Sequence, residues 1–215
     1  MSVAVAGKFI TLEGIEGVGK STQVARLAAA LQERGIAHVV TREPGGTPLA
    51  ESIRQLVLQK GAEAMSPSAE LLLMFAARAV HLNNLIQPSL RAGRWVICDR
   101  FTDATYAYQG GGRGMHEEPI RQLEAMVQDS LRPDLTLLLD APVTLALERA
   151  SRRNAGAAAD RFEAERGEFF ERVAAVYRAR AKAEAQRIAV VDATQNADAV
   201  TTQILDIMRR RAWIS

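Results

Sequence analysis

A chain of 215 residues, 48% hydrophobic and 24% charged, is long enough to bury a core without disulfides or structural metals and too apolar to stay unfolded. Its 27 basic residues nearly balance 25 acidic ones, and with no basic tract longer than Arg209–Arg211 the pattern argues against nucleic acid as a partner. Cys98 is the only cysteine, which excludes a disulfide framework; no stretch reaches the roughly 18 uncharged apolar residues of a membrane span, and Lys8 interrupts the apolar start, so neither membrane nor export is expected and the cytoplasm is.

Taken in chain order, five short apolar runs read as buried strands: Phe9–Glu13, His38–Thr41, Trp95–Asp99, Leu135–Asp140 and Ile188–Asp192. They are continuous rather than alternating, the pattern of a parallel sheet covered on both faces. Helical periodicity separates them. Ser21–Arg34 stripes Val24, Leu27, Ala28 and Leu31 on one face and stops at Gly35. Thr47 and Pro48 open a helix that Gly61 is expected to close, and Ser66-Pro67 opens a longer one running toward Arg91 and Gly93. Further helices are expected over Glu117–Ser130, Val143–Arg153, Phe162 to about Gln186, and around Val200, Ile204, Ile207 and Met208.

This alternation predicts one α/β domain over residues 1–215, a five-stranded parallel sheet flanked by helices in three layers. Two segments depart from it. Gln109–Gly114 contains four glycines and is expected to be neither helix nor strand, and the small-residue run Asn154–Ala159 lies between arginines. Both are expected to be functional loops on a rigid scaffold.

Gly14-Ile15-Glu16-Gly17-Val18-Gly19-Lys20-Ser21 matches G-x-x-x-x-G-K-[ST] in full, between a strand and a helix. Glycines here let backbone N–H groups curl around a phosphate, and the N-terminus of the following helix, with Ser21 and Thr22, adds partial positive charge. Lys20 suits the β- and γ-phosphates of ATP, and the Ser21 hydroxyl suits Mg²⁺. No Asn-Lys pair occurs, so a guanine-binding Asn-Lys-x-Asp motif is absent. A small kinase remains, and its second substrate has to meet the γ-phosphate from the other side.

Four clusters fall at or beyond expected strand ends, where an open parallel sheet holds its ligands. They are Arg42-Glu43-Pro44-Gly45-Gly46-Thr47, Asp99-Arg100-Phe101, Thr105–Gly114, and Phe75-Ala76-Ala77-Arg78. Arg100 has the planar fork for a phosphate, and Asp99 can hold cations or metal-bound water beside it. Phe75 and Arg78, three apart, share a helix face. An arginine within the apolar stretch Leu71–Ala79 needs a partner.

Together with Ile10–Ser21, the Arg-Glu-Pro-Gly-Gly-Thr and Asp-Arg…Tyr-x-Tyr-Gln-Gly-Gly-Gly-Arg-Gly stretches closely resemble the thymidylate kinase family, from the first strand to about Arg161. The resemblance implies transfer of the ATP γ-phosphate to dTMP with Mg²⁺, and a homodimer. It implies that Arg42, Pro44 and Arg100 surround the dTMP phosphate and sugar, and that Phe75 stacks on the thymine while Arg78 bonds its carbonyl. Thr105, Tyr108 and Gln109 would read base and deoxyribose, with Tyr106 and Tyr108 not yet distinguished. Glu16 would meet the sugar 3′-hydroxyl, and Asp99 would join Ser21 near the metal.

Catalysis on an acceptor that is already an anion calls for positioning and positive charge rather than a general base. Some family members place an arginine within the P-loop, where this chain has Gly17; the bacterial type supplies arginines from a lid, here about residues 149–161. Arg153 and Arg149 are the expected lid cations, with Arg152, Arg161 and Arg113 less clearly placed. Other acceptors stay open: another nucleoside monophosphate, or a deoxynucleoside with Glu13 as base. The consecutive Leu71, Leu72, Leu73, Met74 and Phe75 carry more apolar surface than one helix face needs, which also points to a second copy of the chain.

Overall fold

In the computed structural model, residues 7–59, 63–153, 161–162, 165 and 167–215 are described. Five parallel strands form one sheet in the order β2-β3-β1-β4-β5: β1 Phe9–Glu13, β2 His38–Arg42, β3 Trp95–Asp99, β4 Leu135–Asp140 and β5 Ile188–Asp192. β1 is central, with Leu12 opposite Asp99 of β3 and Glu13 opposite Leu138 of β4. All five β1 residues are buried. A strand covered on both faces can carry a polar group only if it is paired, and the buried Thr11 hydroxyl meets that of Thr136 at 2.8 Å.

The helices are α1 Lys20–Glu33, α2 Pro48–Leu58, α3 Pro67–His81, α4 Gln87–Arg91, α5 Thr102–Thr105, α6 Glu117–Gln128, α7 Val143–Arg153, α8 Gly167–Ala183 and α9 Ala197–Arg210. Caps follow local chemistry: the Ser66 side chain accepts from Ala69 N–H at the start of α3, and that of Asn196 from Ala199 N–H at α9. The expected three-layer architecture is borne out, and the five strands fall within one residue of their sequence assignments. Gly61 and the run Asn154–Ala159 lie outside the described residues.

The expected single helix from Ser66 to Arg91 is two helices joined by a π-helical stretch, Leu82–Ile86. Gln87 N–H donates to Leu82 O there, five residues back. Pro88, at the start of α4, has no N–H, and its ring would crowd the carbonyl four residues earlier in a regular helix; the wider turn accommodates it.

The larger correction concerns the glycine run. α5 continues directly into a π-helical segment, Tyr106–Gly112, so Gln109–Gly112 are helical and only Gly114 takes a positive φ, 72°. The glycines serve close approach instead of a loop. A Cβ on Gly111 would stand 2.6 Å from Val176 Cγ2 and 2.9 Å from Arg172 O on α8, and one on Gly112 would run into the Phe169 ring. Arg172 completes the contact by donating to Gly112 O at 2.9 Å. Glycine composition marks both flexible turns and tight helix packing, and here packing decides.

Candidate active site

The C-terminal end of β1 leads into the P-loop, where Gly14, Gly17 and Gly19 have φ of 133°, 79° and 96°. A side chain at Gly17 is doubly excluded, since its Cβ would also collide with the Ala146 carbonyl of α7. The Lys20 ammonium is buried and donates to the carbonyls of Gly14 and Ile15 at 3.0 and 2.9 Å. Burial and then Arg100 lower its pKa, opposed by Glu16, Asp99 and Glu13. A cleft of about 340 Å³ lies over this loop, lined by Glu16, Lys20, Ser21, Asp99, Arg100 and Arg153 among others. Its backbone donors, lysine and arginines suit a phosphate chain.

A second, apolar pocket adjoins the first, lined by Pro44, Leu58, Met74, Ala104, Tyr108, Gln109 and Phe162. Glu16, Glu43, Arg54 and Arg100 line both. Arg100 is the hinge between them. It has φ 70°, left-handed for a non-glycine residue, and its N–H donates to Leu12 O at 2.9 Å. Its guanidinium donates to Gly14 O at 2.8 Å and to Glu16 Oε1 at 2.5 Å, and lies over the Tyr108 ring at 4.8 Å. Burial works against ionisation of Glu16, but Arg100, Lys20 and Arg153 outweigh it and bring its pKa down to about 2. Glu16 is therefore a carboxylate at neutral pH, and the P-loop acid is balanced by three cations.

Arg153 reaches this site from the end of α7, with Nη2 3.7 Å from Glu16 Oε2. The α7 backbone that closes off Gly17 thus also delivers a cation: Ala146, Ala150 and Arg153 follow one another along the same helical face. Arg149 does not join it, since its guanidinium donates to Ala193 O and Thr194 O, at 2.7 and 3.2 Å, beyond β5. Of the other arginines, Arg152 pairs with Glu148 on the surface. Arg161 and Arg113 both turn to the buried Glu70, and Arg113 also meets Glu165.

Arg42 lines the phosphate cleft and pairs with Glu51 at 2.9 Å. Arg78 is almost wholly buried behind the apolar pocket. It donates to Glu43 Oε2 at 2.7 Å and to Thr105 Oγ1 at 2.9 Å, while Glu43 also meets His81 at 3.0 Å. Neither Arg78 nor Thr105 lines the pocket itself. Four buried polar atoms of the expected site have no hydrogen-bond partner among the described residues: Arg78 Nη1, Asp99 Oδ1, Tyr108 Oη and Gln109 Oε1. Buried polar groups are rarely left so, and their clustering here marks the region as built to meet a polar ligand. The two tyrosines now separate: Tyr108 lines the pocket, whereas Tyr106 donates to Glu124 at 2.6 Å beneath the Arg180 guanidinium.

On α3 the Phe75 ring packs with Leu71, Tyr106 and Ile120, and it is Met74 that lines the pocket. Both stand on Arg78's side of the helix, at i−3 and i−4, so spacing alone did not choose between them. Arg54, Leu58, Ala104 and Phe162 are the other pocket residues that sequence reasoning missed. Arg54 reads as ordinary helix surface, yet its guanidinium donates to Pro44 O at 2.8 Å and lines both cavities.

A family model for thymidylate kinase matches residues 12–204. The chain belongs to the thymidylate kinase family. Curated thymidylate kinases of Chromohalobacter salexigens and Alkalilimnicola ehrlichii are 58% and 54% identical to it, over 92% and 97% of this chain and 93% and 96% of theirs. The crystal structure of thymidylate kinase from Ehrlichia chaffeensis superposes with a TM-score of 0.76 at 33% identity, covering 94% of this chain and 99% of that one. Within this thymidylate kinase fold, the Phe75 and Met74 side chains should give opposite phenotypes. Phe75→Ala should cost about 3–5 kcal/mol of stability in urea unfolding. Met74→Ala should raise the KM for the acceptor nucleotide by roughly tenfold while costing less stability. An unchanged acceptor KM in Met74→Ala would remove Met74 from the pocket wall.

Proposed function

We infer that the chain is an ATP-dependent dTMP kinase, moving the γ-phosphate of ATP to dTMP to give dTDP and ADP. The observation that carries this is the meeting of a P-loop cleft and an apolar pocket at Glu16 and Arg100, within a chain more than half identical to curated thymidylate kinases. The donor phosphates would lie against the P-loop amides and Lys20, and the acceptor phosphate against Arg100, with Arg42 and Arg54 beside it. Pro44, Met74, Tyr108 and Gln109 would enclose the nucleoside, and Glu16 would accept from the sugar hydroxyl. Arg153 would neutralise charge that develops on the transferring phosphoryl group.

Two oxygen donors suit Mg²⁺: the Ser21 hydroxyl and Asp99, whose buried Oδ1 has no partner among the described residues, both line the phosphate cleft. The metal would supply charge neutralisation on the donor phosphates. A deoxynucleoside kinase with Glu13 as base is disfavoured by geometry. Glu13 is fully buried and both its oxygens are engaged, by Phe101 N–H and the Tyr177 hydroxyl at 2.7 Å each.

Helix faces support the homodimer. Leu72 on α3, Leu49 and Leu56 on α2, and Met126 on α6 are each more than half exposed. A dimer mass in light scattering is expected, and a monomer at micromolar concentration would contradict it. No helix of the described residues is long and apolar enough to cross a membrane. The cytoplasm, with small nucleotides as partners and neither nucleic acid nor membrane, is the setting we propose.

With Mg²⁺ and ATP, a panel of dTMP, dUMP, dCMP, AMP and thymidine should give the highest kcat/KM for dTMP. Faster turnover of thymidine than of dTMP would overturn the assignment. In the same assay Lys20→Ala should abolish turnover, and Arg153→Ala should lower kcat on the order of a hundredfold with little change in dTMP KM.

A further inference from the structure

Arg100 is held from two directions by groups that touch neither nucleotide cleft. Glu13 closes β1, and its Oε1 accepts from Phe101 N–H at 2.7 Å, which pins the peptide immediately after the left-handed Arg100. Its Oε2 accepts from the Tyr177 hydroxyl on α8, also at 2.7 Å. That hydroxyl in turn accepts from Arg100 Nη1 at 3.4 Å. One carboxylate therefore governs the backbone of Arg100 directly and its guanidinium through Tyr177. Neither residue lines the phosphate cleft or the acceptor pocket.

We propose that Glu13 and Tyr177 are positioning residues for Arg100, Glu13 setting the turn that carries it and Tyr177 setting the angle of its guanidinium. The alternative is a polar pair retained only for stability. A buried carboxylate is costly to desolvate, and well-packed apolar groups generally serve stability as well or better. Here every bond the pair makes ends on Arg100 or on the next residue, so the cost is tied to one side chain. A left-handed non-glycine residue persists only where its surroundings over-determine it. Leu12 O, Gly14 O, Glu13 and Tyr177 do that from four sides. The pair also links α8 to β3 across β1, so a shift of α8 would be felt at Arg100 as a rotation of its fork.

The proposal rests on the reading of Arg100 as the acceptor-phosphate residue, and the test separates the two. Tyr177→Phe keeps the ring that packs edge-on to Tyr108 and removes only the hydroxyl. Expected are a KM for dTMP raised roughly tenfold, a KM for ATP changed by less than about twofold, and a melting temperature close to wild type. Combined with Arg100→Ala, the Tyr177→Phe change should add nothing further to the dTMP KM. Glu13→Gln, which keeps an oxygen for Phe101 N–H but not a second acceptor, should resemble Tyr177→Phe, and Glu13→Ala should be worse. The proposal is overturned if Tyr177→Phe leaves the dTMP KM unchanged, raises both KM values together, or acts equally in both backgrounds. Arg100→Ala with an unaltered dTMP KM would overturn the acceptor-phosphate reading itself, and the proposal with it.

Discussion

The chain leaving β3 is bent into a left-handed turn at Arg100, and the guanidinium that this turn delivers lines both the phosphate cleft and the apolar pocket. Its N–H is tied to β1 at Leu12, its fork to the P-loop at Gly14 and Glu16, and its face to Tyr108 of the acceptor pocket. Parallel order around β1 makes this possible. Because β3 and β4 flank β1 in register, the C-terminal ends of all three open on the same edge, where the P-loop, Arg100 and α7 converge. Moving Arg100 would disturb both cavities together.

Arginine outnumbers lysine 23 to four in a chain of near-neutral charge, and the structure divides these arginines into three groups. One lines the clefts: Arg42, Arg54, Arg100 and Arg153. A second pairs with buried acids away from the phosphate cleft, as in Arg78 with Glu43, Arg113 and Arg161 with Glu70, and Arg180 and Arg187 with Asp103. The guanidinium suits this use, since its planar fork can satisfy several acceptors without losing its charge. Removing the arginine of such a pair would leave its buried acid uncompensated, which makes these clusters costly to alter. Others among the described residues, such as Arg152 and Arg209, form exposed pairs of small energetic weight.

Strands and the phosphate loop were legible in sequence because each carries a period or spacing with one physical meaning. A continuous apolar run between turn residues is a buried strand, and the P-loop glycines have positive φ as that spacing requires. What could not be read had two physical meanings with the same letters. Gly110–Gly112 look like a loop but lie in a helix pressed onto α8. Met74 and Phe75 are both in phase with Arg78, and only packing against Tyr106 and Ile120 assigns Phe75 to the core. Arg149 and Arg153 both look like lid cations, yet the carbonyls after β5 hold the first. Glu13 and Tyr177, 164 residues apart, have no local signature at all, because their contact exists only once α8 has folded back over β1.

The account depends most on Arg100 acting on the acceptor phosphate, and that is measured most directly as a difference in affinity between dTMP and thymidine. Calorimetric titration of both ligands into the wild-type chain and into Arg100→Ala compares the same nucleoside with and without its phosphate. The wild type should favour dTMP strongly, and in Arg100→Ala that preference should fall by on the order of tenfold or more while thymidine affinity stays nearly constant. An undiminished preference for dTMP in the variant, or an equal loss for both ligands, would contradict it.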